Sequence, residues 1–263
     1  MKIQLPYVDV KSIVDQWKVS LKSAVRPGMA LNVFQVGDDP ASNAYIAGKK
    51  RDCEELGILF NHFHYDERTM ENIGFDVFNR SQINPTIVQL PLPPGMEEQV
   101  CSMLHLKNDV DGMLPGSPYL PCTPKGILYL LDNLGIQLDG ARACIIGRSH
   151  IVGRPMARLL TDRNATVTLC HTHTLDVPSI ARQCEILIVA AGVKHLVDSS
   201  YVSGRTRIIV DVGINREGKR LYGDVNDNDV LSKYPDVLVT PVPGGVGLLT
   251  RAALMSNIVW RYK

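Results

Sequence analysis

At 263 residues the chain is long enough for one large domain or two small ones, either with a real buried core. A formal charge of +1, with 21% charged residues, leaves no electrostatic footprint for nucleic acid or an anionic membrane. No apolar run reaches the roughly eighteen residues of a spanning helix.

The opening "MKIQLPYVDVKS" lacks the apolar core and cleavage site of a signal peptide. Six cysteines (Cys53, Cys101, Cys122, Cys144, Cys170, Cys184) are scattered without a C-x-x-C, several in apolar strand-like runs. They read as reduced, mostly buried thiols, so a cytoplasmic location is expected.

In chain order, helix-period spacing predicts a helix in "VDVKSIVDQWKVSLKSAV", followed by a strand in "ALNVFQVG". The turn "GDDPAS" leads into a helix from about Ala41 to Leu56, which Gly57 ends. A strand follows in "FNHFHYD", a helix near "ENIGFDVFNRS", a strand in "TIVQLPLP" and a helix in "EEQVCSMLHL". The proline- and glycine-dense segment "MLPGSPYLPCTPKG" is the best candidate boundary. Beyond it, "ACIIG", "TVTLC", "ILIVAAG", "RIIVDVG" and "DVLVTPV" read as strands, with a helix in "PMARLLTDR" and a short one after "TVTLC". Such continuous apolar runs suit a parallel sheet covered by helices on both faces. A last helix is expected in "LLTRAALMSNIVWRYK".

"IIGRSHIVGRPMARLL" follows a strand and opens a helix, where free backbone N–H groups can bind a pyrophosphate. Gly147 supplies the tight turn, with Arg148 beside it, but Ser149 stands where G-x-G-x-x-G has its second glycine. The next strand ends in "TLCHTHT", with no carboxylate to grip ribose hydroxyls. Arg148, Thr172 and the nearby imidazoles suit a 2′-phosphate instead, so NADP is expected over NAD. A metal reading of Cys170, His171 and His173 lacks a fourth ligand, and strand alternation accounts for His62 and His64, so no metal is expected.

In the first half, Tyr45 and Lys49 are four residues apart and share a helix face, while Lys50 points away. Gln89 lies in an apolar strand and needs a hydrogen-bond partner; Asp111 lies in the turn "DVDG". Taken singly, Lys49 reads as a solvated charge, Gln89 as a core amide bonded to backbone, and the aspartates as turn formers.

Together, "VGDDPASNAYIAGKKRDCEELGI", "VQLPLP", "DVDG", "PCTPKG", "GRSHIVGRPMA", "DVGIN", "GDV" and "TPVPGGVG" resemble one family, the bifunctional methylenetetrahydrofolate dehydrogenases/cyclohydrolases. The motifs occur in that family's order over most of the chain. The resemblance implies a two-domain α/β protein: an N-terminal α/β catalytic domain and a C-terminal Rossmann-like, doubly wound parallel sheet, with a cleft between them. Residues 1–120 and 246–263 would bind folate and 121–245 NADP.

It further implies that Lys49 is catalytic and held by Gln89, that Tyr45 packs on the folate, and that Asp111 hydrogen-bonds its pterin. Pro243, Gly244 and Gly245 would form a rim against the folate. Gly147, Arg148, Ser149 and Ile214 would contact NADP, and the position of Thr172 resembles the family's hydroxyl at the 2′-phosphate. The substrates implied are tetrahydrofolate derivatives, and the assembly implied is a homodimer.

The chain departs from the family pattern in three places. The stretch between "DVDG" and "PCTP" is roughly ten residues shorter than usual, "INPTI" is compact, and Leu248 and Leu249 replace a proline and a methionine. Two other readings compete: a shikimate-dehydrogenase-like NADP enzyme, and a nucleotide-binding regulator without catalysis.

Overall fold

The computed structural model describes residues 7–66, 69–218 and 220–262. Two compact units emerge, one gathering Asp15–Cys122 with the segment from Arg251 onward, the other gathering residues up to Val14 with Thr123–Thr250.

The first half contains α1 (Val10–Lys22), β1 (Ala30–Val36), α2 (Pro40–Leu56), β2 (Leu59–Tyr65), α3 (Ile73–Ser81), β3 (Thr86–Val88) and α4 (Glu97–Ser102). Its three strands form a parallel sheet in the order β2-β1-β3. Local chemistry sets both ends of α2. The Asp39 side chain accepts the Ser42 N–H at 2.7 Å, and Pro40 occupies the first turn, where a missing N–H costs nothing. At the other end Gly57 adopts φ 78°, and the Ile58 N–H closes back on the Cys53 carbonyl at 2.8 Å. Phe34 packs at the centre of this unit's core with Ile73, Val77, Val88, Val100 and Leu104.

β3 is shorter than the sequence pattern predicts. The Gln89 N–H still reaches the Phe34 carbonyl at 2.8 Å, but Pro91 and Pro93 cannot donate and the ladder stops. α4 is likewise shorter than the predicted helix, and a 3₁₀ turn at Met70–Asn72 precedes α3.

The second half contains α5 (Cys122–Asn133), β4 (Arg142–Ile146), α6 (Gly153–Thr161), β5 (Thr166–Cys170), α7 (Val177–Ala181), β6 (Ile186–Val189) and β7 (Ile208–Asp211). The hairpin strands β8 (Asn215–Glu217) and β9 (Arg220–Tyr222) follow, then α8 (Asp227–Lys233), β10 (Leu238–Val239) and α9 (Val246–Arg261). The partition between units thus falls inside α1 and α9 and at the start of α5. The sequence reading had no helix at α5; its "PCTPKG" opening is punctuation by composition, yet Pro124 is tolerated in a first turn. The β8–β9 hairpin and α8 were also unforeseen, because short polar segments carry no apolar period.

The five-stranded sheet is parallel throughout, in the order β10-β7-β6-β4-β5. All four residues of β6 and of β7 are buried, as their continuous apolar runs require. From β4 the chain first adds β5 on one side and then returns to add β6 on the other. That reversal puts a topological switch point between the carboxyl ends of β4 and β6. No helix among the described residues is long and apolar enough to cross a membrane.

Candidate active site

The first cluster forms around Lys49 on α2. Its side chain is buried (4% exposed), whereas Lys50 faces solvent, 3.9 Å from Glu54. A buried ammonium needs partners. Lys49 Nζ donates to Gln89 Oε1 at 2.9 Å and lies 4.8 Å from the centre of the Tyr45 ring, within cation–π range. Gln89 Nε2 donates to the Leu90 carbonyl at 2.7 Å, which fixes the amide with its oxygen toward the lysine. Gln89 therefore sits just past the carboxyl end of β3, and its partner is a side chain as well as backbone.

Burial is the main influence on Lys49 and lowers its pKa below the ordinary lysine value. The Asp111 carboxylate and the thiols of Cys122 and Cys53 act the other way, while Arg251 reinforces the lowering. Tyr45, Lys49, Gln89 and Asp111 are thus brought into one electrostatic neighbourhood.

Asp109, two residues before Asp111, has a structural role that the sequence reading did not separate from a turn. It is fully buried and accepts the Leu114 N–H at 2.9 Å and the Met113 N–H at 3.4 Å. Burial pushes it up to about 6 against these hydrogen bonds. The shortened stretch after "DVDG" is thereby tied to its own first aspartate. Nothing in "KNDVDG" marks it, because a turn aspartate looks the same from sequence.

The second cluster lies at the switch point. Gly147 has φ 116°, and a Cβ there would stand 2.1 Å from the Ala190 carbonyl oxygen, so only glycine fits. Gly153 opens α6 against the Gly147 carbonyl, with 1.9 Å left for a Cβ. Ser149 Oγ accepts the Val152 N–H at 3.2 Å and the Gly153 N–H at 3.4 Å, which sets the turn into α6. Here serine caps the turn that a second glycine usually makes.

Arg148 and Thr172 are exposed, and no carboxylate ends β5. Desolvation, then the positive charge of Arg148 and the His173 ring, hold the His171 imidazole below its ordinary value. His171 Nδ1 accepts the His173 N–H at 3.2 Å and is committed to the backbone. Ile214 is 61% exposed past β7, and Pro243 and Gly244 are exposed past β10, while Gly245 is buried. A Cβ on Gly245 would lie 2.3 Å from the Pro241 carbonyl oxygen.

Two buried aspartates brace this rim, and sequence reasoning gave them no role. Asp224 accepts the N–H groups of Ala191 and Gly192 at 2.7 and 2.8 Å, fixing the turn after β6 that faces Gly147. Asp211 accepts those of Gly213, Asp224 and Val225, each at 3.0 Å. Glycines make room: a Cβ on Gly213 would meet Asp224 at 2.1 Å, and one on Gly223 would meet Asp211 at 1.8 Å. Among the described residues no group of three His, Cys, Asp or Glu side chains could hold a metal ion.

A parallel sheet with a glycine turn and a helix start at its switch point defines an α/β dinucleotide-binding protein. The family described as tetrahydrofolate dehydrogenase/cyclohydrolase matches twice, its catalytic domain over residues 8–111 and its NAD(P)-binding domain over residues 121–263. The chain belongs to the tetrahydrofolate dehydrogenase/cyclohydrolase family. It is 41% identical over 273 residues to the bifunctional protein FolD of Agathobacter rectalis, covering 96% of this chain and 97% of that one. Among solved structures it is similar to the bifunctional enzyme FolD of Campylobacter jejuni, with a TM-score of 0.90, 38% identity and 97% of each chain covered. It is also similar to the Trypanosoma brucei dehydrogenase-cyclohydrolase complexed with NADP cofactor and inhibitor. There the TM-score is 0.89 at 26% identity, covering 97% of this chain and 96% of that one. Family membership displaces the shikimate-dehydrogenase-like alternative.

Proposed function

We propose that the chain oxidises 5,10-methylenetetrahydrofolate to the 5,10-methenyl form with NADP, and hydrolyses that product to 10-formyltetrahydrofolate, within one-carbon metabolism. The observation that carries this reading is the buried Lys49–Gln89 pair, in a chain that belongs to the family over both its domains. The folate is assigned to the domain of residues 1–120 and 246–263, and NADP to residues 121–245.

NADP, when bound, supplies the acceptor for the hydride that leaves the methylene carbon. The residues present fit it: Gly147 leaves no side chain in the turn, α6 starts beside it with its positive end toward the turn, and β5 ends without the acid that would select NAD, which leaves Arg148 for the 2′-phosphate. Thr172 is placed at the 2′-phosphate with Arg148. Gly147, Ser149 and Ile214 line the remaining contact.

Loss of hydride leaves a cationic methenyl carbon, so the first step needs no proton transfer from the protein. In the second, water adds to that carbon and gives up a proton. The bond from carbon to the pteridine nitrogen N5 then breaks as N5 takes a proton and the new hydroxyl releases its own, leaving the formyl group on N10. Lys49, shifted toward neutrality by burial, accepts the proton from the attacking water, and Gln89 aims its amine. Tyr45 packs on the folate ring, Asp111 accepts from the pterin, and Pro243, Gly244 and Gly245 form a rim beside it. A homodimer located in the cytoplasm completes the reading.

The test is a spectrophotometric assay of methenyl-folate formation with NADP, and of its decay, on the wild type and Lys49→Met. The variant is expected to lose hydrolysis. A Lys49→Met enzyme that hydrolyses methenyl-folate at the wild-type rate removes Lys49 from the mechanism, and no turnover of folate by the wild type refutes the activity itself.

A further inference from the structure

Behind Lys49 lies an ionic chain that the two reactions leave without a role. Arg251 Nε, on α9, is 2.8 Å from Asp52 Oδ2, and Lys18 Nζ donates to Asp52 Oδ1 at 2.5 Å. Lys18 also reaches Glu55 at 2.8 Å. The side chains of Arg251, Asp52 and Lys18 are only 16%, 4% and 9% exposed, whereas Glu55 is half in solvent. The buried part of the chain therefore holds two cations against one carboxylate.

Arg251 is admitted by the residue next to the lysine. A Cβ on Gly48 would stand 1.9 Å from Arg251 Nη1, so any side chain at that position must shift the guanidinium from its seat. Burying an arginine–aspartate pair is a poor way to gain stability, because desolvation offsets the attraction and apolar residues of similar size do as well. Its consequence is electrostatic instead. Burial does most to hold Lys49 neutral; of the charged and ionisable groups acting on it, Asp111, Cys122 and Cys53 favour the ammonium form and Arg251, a smaller influence than these, adds to burial in disfavouring it. Gln89 and Tyr45, which touch it, are neutral.

We propose that Arg251, seated by Gly48 and anchored by Asp52, is a positioning residue for the hydrolytic step, its fixed charge keeping the Lys49 amine free to take a proton. This rests on the reading of Lys49 as the base. Neither hydride transfer nor folate binding requires it.

The experiment is the pH profile of methenyl-folate hydrolysis by the full chain, with kcat and KM separated. Arg251→Met is expected to move the limb that rises with pH to higher pH, with a several-fold loss of kcat at neutral pH and little change in KM. Arg251→Lys, which keeps the charge, restores the limb toward wild type. Gly48→Ala, which displaces the guanidinium without deleting it, reproduces the Arg251→Met shift. Asp52→Asn strips the neutralising carboxylate and moves the limb to lower pH.

A lower rate at every pH with an unmoved limb means a merely structural role and overturns the proposal. If Arg251→Met does not fold, the direction of the Asp52→Asn shift decides: downward supports the proposal, upward or absent overturns it. Lys49→Met separates the two failures. Lost hydrolysis there with unmoved limbs elsewhere sinks Arg251 alone, while retained hydrolysis sinks the assignment of Lys49.

Discussion

Asp211 and Asp224 are coupled through the backbone: the carboxylate of Asp211 accepts the Asp224 N–H at 3.0 Å, and that of Asp224 accepts two N–H groups of the turn after β6. Burial dominates at Asp211 and pushes it up to about 7, despite three backbone donors. A carboxyl whose folded pKa exceeds its unfolded value of 3.8 contributes stability that is full below that unfolded value. The contribution is lost as pH rises through about 7. Asp109, pushed up to about 6, acts in the same direction. Urea midpoints are therefore expected to fall between pH 5 and pH 8. A midpoint that rises over this interval, or an Asp211→Asn variant that keeps the full wild-type pH dependence, contradicts the account.

Gln89 offers Lys49 a neutral oxygen. Gln89→Glu would put a carboxylate in the same place, favour the ammonium and shift the hydrolysis profile to higher pH. Gln89→Leu leaves a buried amine without this acceptor, at a cost of about 1–3 kcal/mol in denaturant stability. A profile for Gln89→Glu that overlays the wild type would show that the pair does not govern the proton.

Arg148 carries the predicted preference for NADP. A charge-assisted hydrogen bond to the 2′-phosphate is worth about 1.5–3 kcal/mol, so Arg148→Leu should lower the NADP-to-NAD ratio of kcat/KM by about 10- to 100-fold. Steady-state kinetics with both cofactors check this. An unchanged ratio would place the 2′-phosphate elsewhere.

Asp109 clamps Met113 and Leu114. Asp109→Ala leaves those donors unanswered, with an expected loss of about 1–3 kcal/mol and faster amide exchange at the two residues. Exchange rates equal to wild type would mean that the short loop is held by other contacts.

Much of this was legible from residue order alone. The helical spacing put Lys49 on the face of Tyr45 and Lys50 on another, because a hundred-degree step separates neighbours, although taken singly Lys49 read as a solvated charge and it is buried. The missing carboxylate after "TVTLC" was equally visible. The parallel sheet followed from runs such as "ILIVAAG", which have no polar face.

What stayed hidden depends on contacts distant in sequence. Asp52 and Arg251 are 199 positions apart, and nothing local in "KKRDCEE" or "LLTRAAL" marks them as partners. Asp109 and Asp111 look alike in "DVDG" and differ only in what folds over them. α5 was obscured because Pro124 is a breaker inside a helix yet tolerated in its first turn, and because Gly126, a breaker by composition, is there for close packing, a Cβ on it lying 2.8 Å from the Leu249 carbonyl oxygen.

The division of the chain has a consequence for its synthesis. The unit that carries Lys49 includes the segment from Arg251 onward, where Asn257 Nδ2 donates to the Val110 and Leu120 carbonyls and Arg261 Nε to Asn108 Oδ1. Those acceptors are made some 140 residues before their donors. A ribosome that has finished the first 122 residues has therefore not yet supplied what completes their fold. The unit that carries Lys49 is completed only after the dinucleotide-binding half has been made, so a nascent chain stalled within that half leaves the lysine helix without Arg251 and without the cap over "NDVDG".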